Sequence, residues 1–482
     1  LGHSISLTGL NAEVEITDNN IFINNDGVIG SAIYSLCPRL TFSDAEFKGD
    51  NKIRAIELEV FGKIDIKRVT FDGLKSNENG GAILLKRAPT QSSTLLAIDK
   101  QEYLISNCTF KNCESSGNGG SIYISEGVEF VEIKETIFDS GRVTGDNSQG
   151  IALFISSGVT SFTVDSSVKF INQNCNNKFI IASNCGVFDI QDMSLDNSLF
   201  GTGVKGIQLN AGTVTINNVV FNKCTGALEI NSGVTSANIY GCTFNDCYTF
   251  NGNSNAGQAV LISNKKCIFT RNTIQFNSNT ENGASSALYV KNHGDIEITH
   301  NQFIKPMKSS NVPSAIAITD AQNDLSEGTV NFQFNRIDNV GNVKFGVFLI
   351  NKRQRFNFDN NIIENCKIDA YNGYACQLSM QYDSSPLKES FTLTNLTLRN
   401  CESHSQTGGG FGIWIEFINK IGHLTLKDCK FYGNKCGSNH GGGYGGAFAS
   451  GNATVDKMTL TVEDCLFDGN KAAYCGGALS LQ

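Results

Sequence analysis

Proline is scarce in this chain, at five in 482 residues, and tryptophan occurs once, at Trp414. Nowhere does a 3.6-residue apolar period persist with caps at its ends, so a helical protein is excluded. The abundant turn and strand formers, 49 glycines among them, favour strands and tight turns instead. No apolar run approaches the roughly 18 residues of a membrane-spanning helix; "FGVFLI" at Phe345–Ile350 is typical of what occurs. A basic stripe is also missing. With a net charge of −8 and a pI near 5.4, the chain is not expected to bind nucleic acid. An initiator methionine and a signal peptide are absent too, which predicts a segment of a longer or processed product.

Sixteen cysteines and three Asn-x-Ser/Thr sequons, at Asn107, Asn395 and Asn452, are present and point to an extracellular or cell-surface location. More telling is a repeated phrase. "CKFYGNKCGSNHGGGYGGAF" (Cys429–Phe448) and "CLFDGNKAAYCGGAL" (Cys465–Leu479) share Cys, Phe, Asn and Gly-Gly-Ala in the same order. With the Phe as anchor, sixteen positions align: Phe22, Phe47, Phe71, Phe110, Phe138, Phe170, Leu195, Phe221, Phe244, Ile274, Phe303, Ile337, Ile363, Leu398, Phe431 and Phe467. The steps run from 23 to 39 residues, the signature of a solenoid with loops of variable length. Alternation before each anchor, as in "VEIKETIF", means strands. A second strand follows the loop at small–aliphatic pairs such as Ala55-Ile56, Ala82-Ile83 and Ala287-Leu288. Leucine-rich repeats would need a leucine framework that is missing. The fold class is all-β, a right-handed parallel β-helix of about sixteen coils forming one continuous domain over residues 1–482. At about 4.8 Å per coil it would be a rod roughly 75 Å long.

Stacking turns the alignment into columns. Two residues before the anchor no charge occurs, so that column faces inward. Its consecutive Asn272, Asn301, Asn335 and Asn361 are expected to form an amide ladder. Three before the anchor stand Asp44, Arg68, Glu135, Asp192, Arg271, Asp428 and Asp464, with the sequons Asn107 and Asn395, so that column faces out. Three after the anchor, Asn and Cys exchange at a turn. Phe fills the core, Asn or Cys ties the turn, and Gly-Gly permits a tight bend.

The phrases Phe431/Asn434/Gly445–Phe448 and Phe467/Asn470/Gly476–Leu479 resemble the Phe-x-x-Asn and Gly-Gly-Ala-Ile motifs of polymorphic outer membrane protein repeats. The match is partial at Phe22/Asn25, Gly80–Ile83 and Gly119–Ile122 and degenerate elsewhere. The whole chain resembles the pectin-lyase-like β-helix superfamily. These resemblances imply a surface-exposed rod used in adhesion, though no outer-membrane barrel follows, and similar repeats occur in protist surface proteins.

Adjacent coils bring same-column cysteines within disulfide range. The candidates are Cys224–Cys247, Cys366–Cys401 and Cys429–Cys465, with Cys436–Cys475 bridging two loops. Cys108–Cys113 and Cys242–Cys247 compete within single turns, and stacked buried thiols are the alternative. Cys401-x-x-His404 with Cys436-x-x-x-His440, placed in equivalent loops, offers zinc-type ligands, but the spacing is loose and no metal is assigned. "GSNHGGGYGG" lacks the Lys-Ser/Thr of a phosphate loop, so no cofactor is expected. "NKRQRF" (Asn351–Phe356) reads as a solvated loop able to meet anionic glycans, and Trp414 as either core or a sugar-stacking residue. For a hydrolase or lyase the acids look too scattered: Asp428 neighbours Asp464, Asp44 lies beside Glu46, and "NHGD" (Asn292–Asp295) has no partners. No column combines several acids with a basic partner in adjacent coils. The chain is therefore expected to be a non-enzymatic structural rod that assembles into a surface filament or coat, its strands left uncapped at both ends. An adhesin or glycan-binding surface protein is the alternative, and a polysaccharide lyase or hydrolase the second. Partners would be further copies, other surface proteins or glycans.

Overall fold

The computed structural model describes residues 5–8, 13–23, 31–49, 54–59, 62–87, 101–165, 167–173, 175, 178–197 and 203–247. It further describes 258–276, 286–291, 294–304, 316–319, 328–339, 348–352, 355–369, 374–380, 389–404, 411–417, 421–437, 448–451, 457–473 and 476–481. Among the described residues there is no helix, and the strands pair in parallel. The chain divides into two compact units, Leu1–Ser236 and Ala237–Gln482, each an all-β parallel solenoid.

One coil of the first unit shows the plan. The strand Phe130–Lys134 alternates inward Val131 and Ile133 with outward neighbours, and Glu135 then turns the chain at φ 49°. Thr136 points inward, the three-residue strand Ile137–Asp139 follows, and Ser140 makes a second bend at φ 56°. A two-residue strand, Arg142–Val143, and a loop lead to Leu153–Ile155, which closes the coil. Two left-handed bends in most of the described coils explain the composition. Asn, Asp and Ser tolerate that conformation, whereas most side chains do not.

Parallel pairing fixes the register. In the first unit the anchors Phe22, Phe47, Phe71, Phe110, Phe138 and Phe170 stack ring on ring, with centroids 4.6 to 5.3 Å apart, and Leu195 and Phe221 continue the column. In the second, Phe244, Ile274, Phe303, Ile337, Ile363, Leu398, Phe431 and Phe467 pair in one register. Each buried Phe removes on the order of 1.5–3 kcal/mol worth of apolar surface from water, so these columns are the core of each unit. The small–aliphatic pairs face inward as well: Ala55, Ile56, Ala82, Ile83, Ala287 and Leu288 are all buried.

The glycine pairs have a steric reason. Gly80 and Gly119 bend at φ 73° and 70°. A Cβ on Gly81 would lie 2.0 Å from the Gly120 carbonyl oxygen, and one on Gly120 2.0 Å from that of Ile151. Only glycine lets successive coils approach this closely.

Candidate functional site

Inside each unit the repeated polar side chains serve the stack. Asn272, Asn301, Asn335 and Asn361 are buried in one column. The Asn272 Nδ2 donates to Asn301 Oδ1 at 3.1 Å, Asn301 to Asn335 at 3.0 Å, and Asn335 to Asn361 at 3.2 Å. Each Oδ1 also accepts the backbone N–H of the preceding asparagine, at 2.8 to 3.0 Å. Each Nδ2 reaches a carbonyl of the preceding coil, as Asn301 does to Phe269 at 2.9 Å. A second ladder occupies the turn column after the anchor. Cys401 donates its backbone N–H to Asn434 Oδ1, and Asn434 Nδ2 donates to Asn470 Oδ1 at 2.9 Å.

Cysteine imitates half of this. The Cys108 thiol reaches the Ile66 carbonyl of the preceding coil at 3.6 Å, the place where asparagine puts its amide donor. All fourteen cysteines with described side chains are thiols. Burial pushes the thiols of Cys108 and Cys113 up to about 12, and Cys185 to about 11. Cys429 also rises to about 12, by burial and then by Cys465 beside it. The disulfide candidates Cys366, Cys401, Cys429 and Cys465 thus stand as stacked thiols, as do Cys224 and Cys247 within their own units. Register explains this. Side chains stacked in a parallel ladder keep the coil spacing of about 4.8 Å, longer than the roughly 3.5–4.5 Å between Cβ atoms that a disulfide requires.

Two placements need correction. Cys436 is not in a loop: it lies in the strand Lys435–Cys436, paired with Ser403 and Ala472. Nor is it equivalent to Cys401, whose partner in the next coil is Asn434, so the zinc-type pairing loses its basis. Cys475 and His440 lie outside the described residues, as does the side chain of His404. Among the described residues no three His, Cys, Asp or Glu side chains converge as metal ligands.

Oppositely charged side chains also pair between coils. Arg68 grips Asp44 of the preceding coil with two bonds of 2.6 Å, and this pairing holds the Asp44 carboxyl below its usual range. More elaborate is a cluster on the strands Ser31–Ser35, Arg54–Glu59 and Ile83–Lys86. Arg54, only 4% exposed, binds Glu57 at 2.7 Å and Glu78 at 2.8 Å. Lys86 binds Glu57 at 2.7 Å and Glu59 at 3.5 Å, and the Tyr34 hydroxyl donates to Glu59 at 3.1 Å. Burial opposes ionisation of Glu57, but the hydrogen bond from Lys86 and the charge of Arg54 outweigh it and hold the carboxyl low. Tyr34 is pushed up to about 12 by burial and by Glu59. This is the arrangement of acids and bases on one face that an enzyme would need, yet its charges are already spent on one another. In the second unit Glu364, 1% exposed, bridges Arg336 at 2.6 Å and Arg399 of the next coil.

Of the sequons, Asn107 and Asn395 stand exposed at left-handed corners, φ 51° and 50°, and Asn452 lies outside the described residues. Trp414 pairs in register with Gln377 and Ala449 in the strand Phe411–Phe417, but its side chain is not among those described. Of "NKRQRF", Arg353 and Gln354 lie outside the described residues; Arg355 and Phe356 open the strand Arg355–Asp359. Asn292, His293 and 438–447 also lie outside them.

With this geometry in hand, the chain was compared with known proteins: no family model, no curated protein and no solved structure matches it.

Proposed function

We propose that this is a non-enzymatic extracellular structural protein whose solenoid coils build a surface filament or coat. One observation supports the reading above others: the polar groups that recur with the repeat bond coil to coil. The asparagine ladders and buried thiols do so inside, Asp44–Arg68 does so outside, and buried Glu364 ties the exposed Arg336 and Arg399. Such chemistry resists lateral and axial load and leaves little to act on a substrate. Exposed Asn107 and Asn395 are accessible to glycosylation, in keeping with a secreted product. Oxidation of Cys429 with Cys465, or of Cys366 with Cys401, would add covalent ties between coils at the cost of a local shift in Cβ positions.

Electron microscopy of the native protein without reductant tests the reading. Regular filaments or sheets support it, and particles that stay single at high concentration overturn it. A mass decrease on treatment with an N-glycosidase would support passage through a secretory pathway; an unmodified mass in material from its own cells would count against it. A polysaccharide lyase or hydrolase is the second reading, favoured by the Arg54–Glu57–Lys86 cluster alone. Incubation with polyuronates, followed by ultraviolet absorbance of unsaturated products and by reducing-end release, decides it.

A further inference from the structure

The described coils each make one left-handed bend before the anchor triplet, and most of the residues there are Asn or Asp. Asp44, Asn107, Asp192, Asn218, Asn360 and Asn395 are examples, with φ between 49° and 56°. Phe334 is not. It holds φ 56° and is 49% exposed, and among the described non-glycine residues with positive φ it alone is apolar. A bulky aromatic in this conformation costs conformational energy and exposes apolar surface that the Asp or Asn of other coils does not.

Its neighbours along the corner are unusual too. His300, one coil earlier at φ 58°, lays its imidazole against the Phe334 ring, with centroids 4.8 Å apart and planes 14° from parallel. One coil before that, Arg271 donates from Nη1 to the Tyr240 hydroxyl at 2.8 Å, its guanidinium carbon 5.6 Å from the Tyr240 ring centre. On the other side the corner drops to short amides. Asn360 follows Phe334, and Asn395 donates to Asn360 Oδ1 at 2.7 Å. His300 covers one face of the Phe334 ring, and the side chain is still 49% exposed, so ring surface remains open to solvent at this corner. From Arg271 to Asn395 the corner positions hold a cation, an imidazole, a phenyl ring and two amides, and no carboxylate. The nearest acid in the adjoining position, Asp359, accepts from Gln333 at 2.9 Å.

We infer that this corner of the second unit, centred on Phe334 and Arg271, is a binding site for an acidic glycan. The apolar C–H face of a pyranose fits the open Phe334 ring, as amphipathic rings do on exposed aromatics. Its hydroxyls meet the Asn360 amide, which can both donate and accept. Arg271, two coils away at about 4.8 Å per coil, lies within reach of the carboxylate of a uronic or sialic residue in the same chain. Tyr240 holds the guanidinium in place. Assembly into filaments is not required, because the site lies on a side of the coil and is measured on dispersed protein.

The test uses the full chain and oligosaccharides bearing glucuronate, galacturonate or sialate, with neutral oligosaccharides of equal length, by calorimetry at low ionic strength. The wild type binds at least one acidic probe more tightly than its neutral counterpart. Phe334→Asn installs the residue that other coils use, so the thermal midpoint stays or rises while affinity falls at least tenfold. Arg271→Gln weakens the acidic probe at least fivefold and leaves the neutral one unchanged. Absence of binding by the wild type to every acidic probe at millimolar concentration overturns the inference. So does equal affinity in Phe334→Asn.

Discussion

Replacing Asn301 by alanine removes the middle of the buried amide ladder, and the structure says what that should cost. The Asn272 backbone N–H loses its acceptor at 2.8 Å and the Phe269 carbonyl loses a donor at 2.9 Å. The Asn272 Nδ2 keeps only its 3.1 Å bond to the Ile239 carbonyl, while its Oδ1 still accepts the Cys242 N–H. Each buried group left unsatisfied costs about 1–3 kcal/mol, so the loss should total about 3–5 kcal/mol. Asn301→Cys should cost about half as much, because a thiol still donates to the preceding carbonyl as Cys108 does. The control is Asn357→Ala. Asn357 makes an equally short amide–amide bond to Asn331, at 2.7 Å, but in solvent, where such substitutions usually stay within about 0.5 kcal/mol. Urea unfolding followed by circular dichroism gives the energies, and hydrogen exchange at Asn272 locates the loss, since repeat proteins open locally. An Asn301→Ala cost no larger than that of Asn357→Ala would refute the claim that burial of the ladder carries its energy.

Glu57→Gln strips a carboxylate from buried Arg54 and should destabilise the first unit by about 2–4 kcal/mol. Because the folded carboxyl is held below its ordinary 4.5, that stability is complete above the unfolded value and lost as pH falls through the folded one. The gap between wild type and variant in denaturation midpoints should therefore close below about pH 4.5; a gap that widens there would contradict the sign. In reductant at pH 8, iodoacetamide should modify half-buried Cys175 and Cys465 well before Cys108 or Cys113, whose thiols lie near 12; peptide mass mapping after timed quenching reads the order, and early labelling of Cys113 would be inconsistent with its burial. Gly120→Ala, with a Cβ 2.0 Å from a carbonyl oxygen, should cost about 1–3 kcal/mol or more, whereas a neutral outcome by thermal unfolding would mean the coils can separate there.

The core could be read from residues because its signal repeats. An apolar anchor recurs where the pleat must point inward, and an uncharged position recurs two residues earlier, so aligning Phe71 with Phe110 and Phe138 is enough to pair them. The same alignment places Arg68 one coil after Asp44, yet scanning that column for acids rather than for opposite charges misses the pair. The Arg54–Glu57–Lys86 cluster is hidden for another reason. It belongs to the strand beyond the variable loop, where counting from the anchor loses register. Counting from the small–aliphatic pairs restores it: Glu59 follows Ile56 by the same three residues as Lys86 follows Ile83, and these are ladder partners. The cysteine readings depend on the placement of Cβ atoms in facing coils, which no spacing in a sequence encodes.

The asparagine ladder has a direction. Every Oδ1 in it accepts from the coil before, and every Nδ2 carbonyl partner lies in the coil before. A coil emerging from a ribosome therefore carries two unmatched donors, the backbone N–H and the Nδ2 of its asparagine, until the next asparagine arrives to accept both. Each arrival locks what has already left and exposes a fresh acceptor-seeking edge, so the stack would advance as a ratchet, forward along the chain and one coil at a time.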